Sequence, residues 1–188
     1  MPAADRDKWN TRYAAEAPPH EPSAVLVGLA DLLPTRGRAL DVAGGGGRHA
    51  IWLAQRGLDV TLADVSPVGL ALARQRAAEA GVTIETLETD LEDGEFPVGP
   101  WDLIVSVCYV RRSLFAVYPS VLAPGGTRAV VQPTRKNLER HAKPPRDYLL
   151  EDGELPGLLS GLAVVYYKEG WLADGRHDAV IVGRAADE

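Results

Sequence analysis

Short apolar runs alternate along this chain with longer stretches of helical periodicity. Arg38-Ala39-Leu40-Asp41-Val42-Ala43 reads as a buried strand that runs into Gly44-Gly45-Gly46-Gly47. From Arg48 to Arg56, Ile51, Leu53 and Ala54 recur at helical spacing until Gly57 ends the pattern. Leu58 to Ala63 is a second strand, closed by Asp64. Ser66 then offers a capping hydroxyl, and Pro67 suits a first helical position, where its missing donor costs nothing; a helix is expected from there to about Ala80, stopped by Gly81. Val82 to Leu87 is a third strand ending near Asp90, and Trp101 to Val107 a fourth. A helix over about Arg112 to Leu122, a turn at Pro124-Gly125-Gly126 and a fifth strand from Thr127 to Val131 follow. Pro133 to Pro145 reads as an irregular polar loop, and Gly153 to Leu159 as a weaker helix. The last two strands, Leu162 to Lys168 and Asp178 to Val182, read as an antiparallel pair.

Strand–helix alternation calls for a mostly parallel sheet covered on both faces, because crossovers lay helices against it. Right-handed crossovers make a doubly wound sheet the economical topology. The expectation is one α/β domain over residues 1–188, with seven strands and the last one antiparallel. No internal repeat, linker or low-complexity tract divides it.

Composition narrows the function classes. The chain has 188 residues, 46% hydrophobic and 24% charged, and a formal net charge of −6. A negative surface is a poor polyanion binder, since phosphate neutralisation supplies most non-specific nucleic-acid affinity, so no nucleic-acid partner is expected. The one cysteine, Cys108, excludes an intrachain disulfide and reads as a small buried hydrophobe rather than a nucleophile. Charges occupy the N-terminus where a secretory signal needs an apolar run, and no stretch has the length of a membrane-spanning helix; the expected location is cytoplasmic. His20, His49, His141 and His177 have no metal-ligand spacing, so no metal is expected, and His177 reads as part of a solvated turn.

The candidate chemistry gathers at strand ends, where open parallel sheets bind ligands. Asp41 precedes the glycine run, Asp64 ends the second strand and Asp90 lies past the third. Gly45 and Gly47 let backbone approach a ligand and turn sharply into a helix. Asp64 lies 64 − 45 = 19 residues after Gly45, the separation at which a carboxylate can accept from ribose hydroxyls. Gly45-x-Gly47-x-x-Ala50 also satisfies a relaxed dinucleotide fingerprint. Asp41 beside the loop, however, is unhelpful to a pyrophosphate and attractive to an ammonium or sulfonium cation. S-adenosylmethionine is a cation with an ammonium, a ribose and an adenine, and no phosphate. It suits an acidic lining.

Together these residues carry a family resemblance. Leu40-Asp41-Val42-Ala43-Gly44-Gly45-Gly46-Gly47-Arg48-His49 resembles the first motif of class I S-adenosylmethionine-dependent methyltransferases. Asp64-Val65-Ser66-Pro67 resembles their ribose-binding strand end, Asp90-Leu91 their adenine-binding turn, and Leu122-Ala123-Pro124-Gly125-Gly126 the turn before strand five. More narrowly the chain resembles the small tellurite-resistance-type methyltransferases, through Trp9, Arg12 and Tyr13 and through Leu149 to Leu155 followed by Tyr166 to Gly170. The resemblance implies an antiparallel last strand inserted near one sheet edge and three regions: a helical lid over 1–36, a cofactor-binding core over 37–132, and a substrate-side loop, helix and strand pair over 133–188. It implies S-adenosyl-L-methionine as cofactor, held by Trp9, Arg12, Tyr13, Asp41, Ala43, Gly45, Gly47, Asp64, Val65, Ser66, Asp90 and Leu91.

The substrate side departs from those relatives, with Tyr109-Val110-Arg111-Arg112 after strand four and Val131-Gln132-Pro133-Thr134 at strand five. Tyr109, Arg112 and Gln132 are the candidate substrate contacts. Arg112, helped by the basic run from Arg135 to Arg146, suggests a small anionic acceptor, with a thiol or chalcogen as the other option. Plainer readings stand beside each assignment. The loop is a strand–helix turn, Asp64 complements a helix dipole, Asp90 belongs to a solvated acidic stretch, and Trp9 and Tyr13 simply dock a helix. The rival functions are a cofactor-binding protein without methyl transfer and a nicotinamide-dependent reductase.

Overall fold

The computed structural model describes residues 2–16 and 18–187, leaving Met1, Ala17 and Glu188 of the expected regions outside the description. Among the described residues, seven strands form one sheet in the order β3-β2-β1-β4-β5-β7-β6. They are β1 (Arg38–Val42), β2 (Asp59–Asp64), β3 (Glu85–Glu88), β4 (Trp101–Val107), β5 (Leu122–Pro133), β6 (Ala163–Trp171) and β7 (His177–Arg184). Neighbours from β3 to β5 are parallel. β7 runs antiparallel between β5 and β6, so it alone opposes the other six. The expected fold is the observed one.

Alternation along the strands sorts their side chains into two cores. Ala39, Val60, Leu62, Leu103, Val105, Ala129, Val131, Val180 and Val182 meet helices α2 (Ala24–Val27), α3 (Arg48–Gln55) and α4 (Pro67–Glu79) through Leu26, Leu53, Leu70 and Ala73. Leu40, Val42, Ile104, Val130, Ala179 and Ile181 face the opposite way. They are covered by a 3-10 turn (Arg112–Ala116), α5 (Tyr118–Val121) and α6 (Leu155–Leu158), through Phe115, Tyr118 and Leu155. Leu26, Leu29 and Leu33 are buried in the first core, so the later half of the N-terminal region is part of the body rather than a lid. Helix α1 (Pro2–Ala15) precedes that buried segment and reaches the sheet at the end of β3, through Arg6 and Glu88.

Local chemistry explains where the elements differ from expectation. The helix expected over 112–122 divides into the 3-10 turn and α5, because Pro119 lacks the N–H that would bond back one turn and so suits the start of a new helix rather than the middle of one. The Pro124-Gly125-Gly126 turn lies inside β5. Leu122 pairs with Trp101 and Thr127 with Leu103, so residues 123–126 bulge from the ladder. β3 is a short edge strand starting at Glu85, and the final pair is longer than expected, reaching Trp171 and starting at His177. The polar loop after β5 is more ordered than its composition suggests: Thr134 bridges Leu150, and Arg135–Glu139 is a 3-10 turn. Among the described residues, no helix is long and apolar enough to cross a membrane.

Candidate cofactor and acceptor site

The carboxyl ends of β1, β2 and β3 converge on the glycine loop. At the end of β1 the chain turns through Ala43 at φ 55° and Gly45 at φ 55°, then enters α3 from Gly47 at φ 80°. A side chain on Gly47 would meet Ala73 of α4, 2.7 Å from an ideal Cβ, so glycine is required for packing as well as conformation.

Asp64 fixes that loop to β2. It is buried, accepts the Gly45 N–H at 2.8 Å through Oδ2, and accepts the Ser66 N–H at 2.9 Å through Oδ1. Burial raises its carboxyl above the ordinary range, and the backbone donors oppose that rise. Ser66 caps α4 as expected, accepting from the Gly69 N–H at 3.1 Å. Val65 between them is half-buried.

Asp41, one strand over, is 1% exposed, and its Oδ2 has no hydrogen-bond partner. Burial pushes its carboxyl up to about 7, and the Asp64 charge adds to the rise, while a backbone hydrogen bond at Ala50 and the Arg48 guanidinium oppose it. Such an orphaned acceptor fits an incoming cation or N–H donor. At the end of β3, Asp90 accepts the Glu92 N–H at 2.8 Å through Oδ1, and its buried Oδ2 is likewise unpartnered. Leu91 is buried beside it.

Helix α1 lies across these strand ends. Arg6 pairs with Glu88 at 2.7 Å, and Lys8 reaches the Tyr148 hydroxyl at 3.5 Å on the far side. Between them Asn10 Oδ1 accepts the Ser66 hydroxyl at 2.6 Å. Trp9 and Tyr13 stack at 5.8 Å, with the Arg12 guanidinium 5.2 Å from the Trp9 ring. The Tyr13 hydroxyl sits directly over Gly45, 2.0 Å from where a Cβ would be, and its ring touches the corresponding point on Gly69 at 2.9 Å. Burial raises the phenol's pKa, and the nearby Asp64 carboxylate raises it further.

The acceptor side is assembled differently from expectation. Arg112 forks onto Glu154, with Nη2 2.8 Å from Oε2, and also donates to the Leu149 carbonyl at 3.1 Å. Arg111 pairs with Glu92, Arg135 with Glu151, and Lys136 with Asp152 at 3.3 Å. These cations close the loops on one another through neighbouring carboxylates, so the free anion-binding fork expected of Arg112 is not there. Gln132 donates to the Tyr148 carbonyl at 2.7 Å, leaving its buried Oε1 unpartnered, as is the buried Tyr109 hydroxyl.

Two plainer readings are corrected. Cys108 is exposed rather than buried, at φ 59° past the end of β4, with its sulfur 3.7 Å from Arg176 Nη1. His177 is buried rather than solvated; its Nδ1 meets the Thr134 hydroxyl at 2.8 Å, and its N–H donates to Asn137 at 3.1 Å. Reading by motif passed over three contributors: Asn10, Asp178 and Arg76. Asp178 is buried on β7 with Arg176 Nη2 at 3.4 Å. Arg76 left one signal in the sequence, an arginine beside the Leu70, Ala73, Ala77 stripe of α4 that the core requires to be apolar.

Comparison with known proteins agrees with this geometry. Residues 39–126 match the family described as "Methyltransferase domain". The demethylmenaquinone methyltransferase of Thermus thermophilus is 38% identical over 104 residues, covering 50% of this chain and 46% of that protein. The tRNA 5-carboxymethoxyuridine methyltransferase of Escherichia coli is 32% identical over 111 residues, 55% of this chain and 42% of that one. The chain thus spans less than half the length of these curated relatives. Among solved structures, magnesium protoporphyrin IX methyltransferase from Synechocystis with bound SAH superposes with TM-score 0.75 at 16% identity, covering 98% of this chain and 99% of that one. TehB from Haemophilus influenzae gives 0.71 at 20% identity, with 96% and 66% covered. Residues 39–126 are thus similar to a methyltransferase domain, and the sheet that carries them shares its fold with magnesium protoporphyrin IX methyltransferase.

Proposed function

We propose that the protein transfers the methyl group of S-adenosylmethionine to a small-molecule acceptor. The unpartnered, buried Oδ2 of Asp41 beside the glycine loop carries the reading, because it needs a cationic or N–H donor that the chain itself does not supply. Asp41 takes the cofactor's ammonium, Asp64 its ribose hydroxyls, and Asp90 with Leu91 its adenine. Ala43, Gly45, Gly47, Val65 and Ser66 shape the cradle, and α1 closes it with Trp9, Arg12 and Tyr13. A pyrophosphate would face two buried carboxylates there, which argues against a nicotinamide cofactor.

The cofactor supplies an electrophilic sulfonium methyl, so the chain's task is alignment and exclusion of water. Proximity and orientation are worth on the order of 7–11 kcal/mol, which makes a covalent enzyme intermediate unnecessary. Tyr109 and Gln132, with their unpartnered polar atoms near the carboxyl ends of β4 and β5, are the groups we assign to acceptor contact. The carboxylate-paired Arg112 withdraws support from an anionic acceptor and favours a neutral one. The docked Trp9–Arg12–Tyr13 helix, with the fold likeness to TehB, supports a place near the tellurite-resistance-type enzymes.

Calorimetry with S-adenosylhomocysteine and NAD tests the cofactor, and release of S-adenosylhomocysteine across an acceptor panel tests the transfer. Binding of the homocysteine product by wild type and its loss in Asp41→Asn are expected. Binding of NAD without it would overturn the reading.

A further inference from the structure

Arg76 is a buried arginine that ion-pairs with no carboxylate among the described residues and spends its guanidinium on the backbone instead. It sits on the face of α4 turned toward the glycine loop. Nη2 donates to the Pro18 carbonyl at 2.7 Å and meets His20 Nε2 at 3.1 Å; Nη1 lies 3.3 Å from the Pro19 carbonyl and 3.5 Å from that of Gly46. Four acceptors on two separate segments converge on one planar fork, an arrangement that a point-charge ammonium cannot reproduce.

The two segments are those that must cooperate to hold a ligand. Pro18-Pro19-His20 is the strap that follows α1, and Gly46 is the third glycine of the loop. The strap roofs the loop closely: an ideal Cβ on Gly46 would lie 2.8 Å from Pro18 Cγ and 3.2 Å from Arg76 Nη1. Two prolines give the strap a stiff backbone that presents successive carbonyls to the fork. At its other end α1 is tied down by the Asn10–Ser66 hydrogen bond and by Tyr13 over Gly45. Burial lowers the arginine's pKa, with the Glu79 carboxylate opposing the drop, and such a group is retained at a cost in desolvation.

We propose that Arg76 is the positioning residue that captures cofactor by pinning the Pro18–His20 strap to Gly46, so that α1 closes over the glycine loop. The proposal rests on the cofactor reading given above. Its effect is on retention of the ligand and not on the chemical step, because Arg76 approaches the cradle only from behind the loop.

Full-length Arg76→Gln, the strap variant Pro18→Gly/Pro19→Gly, and their combination separate the possibilities. Each change alone should weaken S-adenosylhomocysteine binding about tenfold, the loss expected for hydrogen bonds to a charged group. KM for S-adenosylmethionine should rise alike, with kcat at saturation within about twofold of wild type. The combined variant should be no weaker than either alone, since both break one connection. Arg76→Lys should recover only part of the loss. In ligand-free protein, tryptic cleavage after Lys8 and Arg12 should quicken in both variants, a readout of α1 docking that needs no cofactor. The strap variant leaves the core untouched, so it answers even where Arg76→Gln folds poorly. Unchanged affinity and cleavage in the strap variant, or losses that multiply in the combination, would overturn the proposal. A wild-type protein that does not bind the homocysteine product, with cleavage still quickened, would leave the pin standing and remove the cofactor reading instead.

Discussion

The Gly45 N–H and the Asp64 carboxylate, 19 residues apart in the chain, meet at 2.8 Å and join the glycine loop to the end of β2. One side chain therefore orders the cradle and offers the surface that would take a ribose. Asp64→Ala should cost stability and ligand affinity together. Hydrogen bonds to a charged group are each worth about 1.5–3 kcal/mol, so S-adenosylhomocysteine binding should fall at least about tenfold and the urea midpoint should drop. Affinity lost at an unchanged midpoint would mean the loop does not depend on this contact.

Gly45 also faces Tyr13. A methyl there would strike the hydroxyl oxygen, 2.0 Å away, at a backbone φ of 55° that alanine adopts reluctantly. Gly45→Ala should thus displace α1 and weaken binding of the homocysteine product. Tyr13→Ala in the same chain should recover whatever part of the loss is steric. Absence of any recovery, measured by calorimetry, would place the whole penalty in the backbone.

The parts of this site that were legible in the sequence are those set by backbone need. A strand running into four glycines and acidic residues at two strand ends located the cradle, because few residue types can make such turns. The β7 insertion followed only from family likeness; strand periodicity says nothing about order in a sheet. Arg112 was misread because its partner, Glu154, is 42 residues away, and sequence cannot show which charges neutralise each other across space. Cys108 and His177 were misread for a related reason. Exposure at a strand end depends on which neighbour lies over it, and a polar residue in a turn can be drawn inward by partners as remote as Asn137, 40 positions away.

Asp41 gives cofactor binding a pH dependence with a defined sign. Its carboxyl, pushed up to about 7, is protonated below that pH and must ionise to attract an ammonium. Affinity for S-adenosylhomocysteine should therefore weaken as pH falls through 7, approaching tenfold per unit, and level off above it. Calorimetry below pH 7 in buffers of different ionisation enthalpy should show proton release on binding. Asp41→Asn should bind weakly at every pH. A wild-type affinity flat from pH 5.5 to 8 would contradict this role.

Stability should show a compensation between neighbouring groups. Asp41 is raised from 3.8 to about 7, so the folded state holds a proton that the unfolded state has released, and stability is lost as pH rises through that window. His49, on α3, is lowered from 6.5 to about 3, mainly by burial; the unfolded state takes the proton first, and stability is lost as pH falls through its window. Each slope is at most about 1.4 kcal/mol per pH unit, and between about pH 4 and 6.5 they have opposite signs. Burial raises Asp64 too, which adds to the loss as pH rises, so wild type should vary less than His49→Gln there in urea denaturation without being flat. His49→Gln should lose stability toward pH 7, and Asp41→Asn toward pH 4. Parallel profiles for all three proteins would show that neither group titrates as its burial implies.

Arg112 separates a structural cation from a substrate contact. Its fork holds Glu154, whose Oε2 also accepts the Glu151 N–H at 2.8 Å, and it donates to the carbonyl of buried Leu149. That geometry ties the segment before α6 to the turn after β4. The Arg112 side chain is 42% exposed, so solvent screens the ion pair and its contribution is small, under about 1 kcal/mol. Arg112→Ala should accordingly lower the melting temperature by a few degrees at most and leave S-adenosylhomocysteine affinity unchanged. It should reduce kcat/KM by the same factor for neutral and anionic acceptors, because what it disturbs is the wall of the pocket and not a charge presented to the substrate. Glu154→Gln should reproduce the effect, since either change breaks the same clamp. If Arg112→Ala instead penalises anionic acceptors alone while Glu154→Gln improves them, the arginine is released to bind substrate during turnover, and the neutral-acceptor reading falls with it.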